Sequence, residues 1–111
     1  MNKHLLIPML LAASTVVQAG TLGANSAGTS TTVDSASCAM VQTSFTLKLS
    51  QNVGAAWLCD TTAAAVNTGS TKGKSTFGGS TSGGTVAACA GGTPSSTNGY
   101  GTTPTVVTSG C

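Results

Sequence analysis

The sequence has no arginine and no glutamate, and its single histidine, His4, sits near the start with Lys3. From Gly20 onward the charged residues reduce to Lys48, Lys72 and Lys74 against Asp34 and Asp60. Without a histidine there is no ordinary base for a serine nucleophile, and two isolated carboxylates offer little to acid–base or metal chemistry. Without arginine and with three scattered lysines, phosphate neutralisation of the kind that holds a nucleic acid is missing too. No enzyme activity, no cofactor, no metal site and no nucleic-acid partner is expected.

Large apolar groups are equally scarce. From Gly20 onward there are 13 Leu, Val and Phe residues and no Ile, too few for a core that offsets the ordering of the backbone. Threonine, serine and glycine take their place, with 19, 13 and 15 residues in the same stretch. Low hydrophobicity favours disorder when net charge is high, but here charge is nearly absent and the threonines and valines favour extended backbone. A folded, core-poor, mostly β protein follows, a small disulfide-stapled sheet or sandwich with a flexible N-terminal arm.

Residues 1–19, MNKHLLIPMLLAASTVVQA, read as an export signal: a short basic start, an apolar run from Leu5 to Val17, and small residues at Val17 and Ala19 before a cleavage between Ala19 and Gly20. The run is about 13 residues where a spanning helix needs about 20, and no second one follows, so no membrane span is expected after cleavage. The destination is then an oxidising one, cell surface, exterior or periplasm.

Such a compartment makes disulfides of the four cysteines Cys38, Cys59, Cys89 and Cys111. None is close enough to another for a zinc ribbon or redox motif. Three pairings are open, and the shortest loop closures favour 38 with 59 and 89 with 111, each stabilising by about 3 kcal/mol.

Residues 20–36 carry two large apolar groups, Leu22 and Val33, and read as a flexible or strand-exchanging arm. The domain proper spans 37–111. In it Val41, Thr43, Phe45, Leu47 and Leu49 alternate with polar residues, a one-faced strand over 41–50. Asn52 to Gly54 reads as a turn and Ala55 to Asp60 as the returning strand, with Trp57 and Cys59 on one side. Thr61 to Thr68 fits a helical turn or a strand of small residues equally. The glycine pairs at 78–79 and 83–84 suggest a loop, 91–103 a longer one with a turn at Asn98-Gly99, and Thr105 to Thr108 a last strand.

Gly73-Lys74-Ser75 looks like the end of a phosphate loop but lacks that motif's glycine spacing. A Ser75–Lys74 pair fails because neighbours in a strand face opposite ways. Asp34 and Asp60 fit turn or capping roles. Trp57 suits a cover for a disulfide, with sugar stacking as the other use, and Tyr100 between two glycines is either a contact group or a cap on the core. Trp57-Leu58-Cys59 with a C-terminal cysteine resembles the globular end of type IV pilins, without that family's N-terminal helix and leader site.

These observations describe a bacterial-type exported structural protein, a self-assembling surface or fibre subunit whose partners are copies of itself. A small secreted binding module, adhesin or inhibitor, presenting the loops 78–84 and 91–103 is the alternative.

Overall fold

The computed structural model describes residues 17–111; residues 1–16 of the expected export signal lie outside it. The described residues are all β, seven strands in two antiparallel sheets. The strands are β1 (Gln18–Leu22), β2 (Thr29–Val33), β3 (Phe45–Leu49), β4 (Val53–Cys59), β5 (Ala64–Ser70), β6 (Thr76–Ser80) and β7 (Ala87–Ala88). The larger sheet runs β1-β4-β5-β6-β7 and the smaller is the β2-β3 pair.

Cys38 bonds Cys59 and Cys89 bonds Cys111, leaving no free thiol. The first bridge ties the start of the β2-β3 sheet's return to the end of β4. The second ties the chain end to the segment after β7. Two disulfides belong with an oxidising, extracellular or periplasmic environment. No helix among the described residues is long and apolar enough to cross a membrane.

The segment 20–36, expected as a flexible or strand-exchanging arm, contributes strands to the sheets of its own chain. Gly20 pairs with Trp57 and Leu22 with Ala55 in β4, while Val33 pairs with Phe45 and Thr31 with Leu47 in β3. Backbone hydrogen bonds to otherwise free edges order a segment whose side chains could not have done so alone.

Other boundaries shift for identifiable reasons. The strand expected over 41–50 starts only at Phe45, because Cys38 and its turn hold residues 38–44 out of the ladder. The turn to β4 sits at Gln51-Asn52, where Asn52 takes φ 60, a left-handed position asparagine tolerates better than most residues. The segment 61–68 resolves as a turn over 61–63 and strand from Ala64 onward, since both sides of β5 find partners in β4 and β6. Gly78 and Gly79 lie inside β6, not in a loop. Thr105–Thr108 is a turn with one isolated bridge, Val106 to Ser109.

The core is thin. Val33, Cys38, Trp57 and Cys59 form its centre, with Leu22, Met40, Val41 and Leu47 packed against it. Trp57 and the Cys38–Cys59 bridge therefore cover one another, as their placement on one side of β4 implied. Phe45, expected on the buried face, is 49% exposed at the rim, because no further strand lies beyond it.

Leu47→Asp should cost several kcal/mol, since it puts a carboxylate against this cluster. Lys48→Asp, on the exposed side of the same strand, should stay within about 0.5 kcal/mol. Phe45→Asp should fall between them. Urea unfolding of the three variants with disulfides intact measures this order.

Candidate assembly surface

The two faces of the large sheet are finished differently. On one, Gly54, Gly69 and Gly78 present bare backbone, and the chain from Cys89 to Cys111 lies directly against it. A Cβ on Gly54 would collide with the Asn98 carbonyl, and one on Gly78 with Gly110 and the Cys111 sulfur. Only glycine admits so close a backbone. At the centre Asn67, 1% exposed, donates from Nδ2 to the Gly110 carbonyl at 3.0 Å and accepts at Oδ1 from the Gly101 amide at 3.0 Å. The Ser80 hydroxyl adds a bond to the Val107 carbonyl at 2.6 Å. This face is sealed.

The opposite face carries Ala55, Trp57 and Cys59 of β4, Val66 and Thr68 of β5, and Phe77 and Gly79 of β6, which the ladder registers align in rows. The β2-β3 sheet covers only its β1-β4 side. Between the two sheets a half-open cleft of about 380 Å³ runs from Val33 and Leu47 to Trp57 and Val66. Its rim is Phe45 on one side, and beyond Val66 the apolar surface continues to Phe77, 48% exposed, and Val86, 74% exposed.

A sealed, dry cavity of that size would cost on the order of 9 kcal/mol at about 24 cal/mol per Å³, comparable to a whole domain's stability. The cleft escapes that cost by staying open, which leaves apolar surface facing water. None of the charged side chains among the described residues lines it. Lys48 points away from the cleft on β3, and Lys72 and Lys74 stand exposed at the β5-β6 tip, so the phosphate-loop resemblance there amounts to a solvated turn.

Both aspartates organise turns. Asp34 Oδ1 accepts from the Ser37 and Ala36 amides, each at 3.0 Å, and from the Ser37 hydroxyl. The Ser37 amide first, then its hydroxyl, holds the Asp34 carboxyl below the usual carboxylate range. Asp60 accepts from the Thr62 hydroxyl at 2.7 Å and from the Thr62 and Ala63 amides, and these bonds, the hydroxyl foremost, lower it likewise. The carboxylates are on separate turns, and no cluster of three metal-ligating side chains occurs among the described residues.

Of the two aromatic contact candidates, Trp57 is 8% exposed and belongs to the core, where it forms the inner wall of the cleft. Tyr100 is half-buried in the C-terminal segment, where its carbonyl accepts from the Ser95 amide at 3.3 Å. The structure thus keeps the two candidates apart, one inside the disulfide-covered core and one on the sealed face. Sequence reasoning missed Val66, Val86 and Asn67. The signal for Val66 and Asn67 lay in the alternation of Ala65, Asn67 and Gly69 against Ala64, Val66 and Thr68, which becomes readable only once 64–70 is known to be strand, whereas Val86, in a loop, carried none.

No protein-family model matches the chain, and neither a curated protein nor a solved structure is similar to it.

Proposed function

We propose that the protein is an exported structural subunit that assembles with copies of itself and has no catalytic activity. The observation that carries this reading is the uncovered apolar half-face, Phe45, Val66, Phe77 and Val86 around the open cleft, on a chain with almost no charge. Exposed contiguous apolar surface marks interaction sites, and charge is what ordinarily keeps sheets from associating. The export signal of residues 1–19 delivers the chain to the compartment its disulfides suit.

The binding-module reading has less to stand on. Of the two loops it would present, 91–103 is packed against Gly54 and Gly69 through Asn98 and Gly99, and residues 78–80 of the other are strand. What remains exposed is the tip Thr81 to Gly84 and, in the longer loop, Gly91, Thr93, Ser96 to Asn98 and Thr102.

Secreted protein viewed by negative stain should show polymer. The double variant Val66→Lys/Phe77→Lys, which places charge on the open face at positions already exposed, should keep its circular dichroism and lose at least tenfold in assembled fraction. Undiminished assembly by this variant would refute the open face as the contact.

A further inference from the structure

We infer that the strand-bearing segment 20–33 exchanges between copies, so that residues 20–22 of β1 and the whole of β2 of one chain pair with β4 and β3 of a second in the registers seen within one chain. This rests on the assembly reading above and names the part of each copy that its neighbour receives.

Four observations lead to it. First, β1 and β2 precede both disulfide loops, Cys38–Cys59 and Cys89–Cys111. They can leave their places without breaking a bond or threading a loop, whereas β3 and β4 lie within the first bridge and the chain end is held by the second. Second, they are held mainly by backbone. Residues of β1 alternate between half-buried and exposed, and in β2 only Val33 is fully buried. Backbone pairing of this kind is the same whether the strand comes from its own chain or another.

Third, the receiving site is specific. Gly20 lies so close to the Trp57 indole that any Cβ there would overlap the ring. A strand from elsewhere would need glycine at this point, with Leu22 two residues on to meet Ala55. A second copy supplies both. Fourth, the connection is short. Residues 34–37 form one tight turn, in which the Cys38 amide donates to the Asp34 carbonyl at 2.8 Å and the Asp34 amide to the Ser37 hydroxyl at 2.9 Å. Opened out, four residues reach at most roughly 14 Å, so an exchanged segment brings its donor close beside the acceptor.

Exchange leaves the number of ladder hydrogen bonds unchanged. What it loses is the Asp34–Ser37 turn, whose groups water can satisfy, and the entropy of association. What it gains is the proximity of two open faces. Each copy gives one segment and accepts one, and when donor and acceptor are different neighbours the contact does not close, which yields a filament.

The test uses Thr32 and Thr46, register partners in β2 and β3 that are both exposed. A Thr32→Cys/Thr46→Cys variant, secreted and assembled, forms its new disulfide within a chain if the segment stays home and between chains if it exchanges. Wild-type polymer should run as monomer on non-reducing denaturing gels, because both native bridges are internal. The variant should run mostly as dimer and larger, collapsing to monomer on reduction. Monomer bands from variant material that light scattering shows to be polymeric would overturn exchange while leaving assembly standing. Failure of the wild type to polymerise at all would overturn both.

A second measurement does not depend on new cysteines. A synthetic peptide of residues 20–33, present in excess during assembly of the wild type, should occupy the receiving edges and reduce mean polymer mass at least twofold. Polymer mass unaffected by the peptide would count against exchange.

Discussion

Trp57→Ala should lower the stability of the domain by about 3–5 kcal/mol, the range for truncating a buried large aromatic. The effect is near the top of that range for a structural reason. Trp57 is the largest buried apolar residue; the others are Val33, Cys38, Cys59, Leu58 and alanines. It touches the Cys38–Cys59 side of that core, and Gly20 of β1 is shaped to its indole. Alanine leaves these groups with nothing to close on, and the neighbours are too small to collapse inward. Against a total of about 5–15 kcal/mol, much of the secreted protein should then be unfolded or degraded. Urea denaturation gives the value, and Tyr100→Ala, at a half-buried position, should cost less than half as much.

Asn67→Leu should cost about 2–6 kcal/mol, although leucine has a similar volume. The buried amide is the common partner of the Gly101 amide and the Gly110 carbonyl. Removing it leaves two backbone groups unpaired against an apolar side chain, at roughly 1–3 kcal/mol each. The damage should be local. Residues 91–111 would lift off the glycine face while remaining tied at Cys89 and Cys111. Limited proteolysis should cut the variant within 91–110 many times faster than the wild type, and the fragment should separate only after reduction. Equal cutting of both proteins would show that the amide is not what holds the segment down.

These two residues mark how far the sequence could be read. Trp57 was legible because it stands two places from Cys59 on an alternating strand, so the β class, the disulfides and the aromatic cover follow from spacing and composition. Asn67 was not, because its partners are backbone groups 34 and 43 residues away, and local pattern carries nothing about contacts at that range. The open face was half visible. Leu47 and Phe45 announced a one-faced strand, but which part of that face another layer would cover depends on where β2 and β3 settle over β4. The strand pairing of segment 20–36 was not legible for the converse reason. Its side chains are poor in hydrophobic area, while its order comes from edge hydrogen bonds that any extended backbone can make.

The central claim is that copies of this chain associate through uncharged apolar surface, which makes mass as a function of salt the most direct measurement. Light scattering of the purified secreted protein, from low salt to about 1 M, where the screening length falls to about 3 Å, should show polymer throughout, unchanged or growing. Polymer that dissolves as salt rises would contradict the apolar contact, and a protein that remains monomeric at every concentration and every salt would contradict the claim itself.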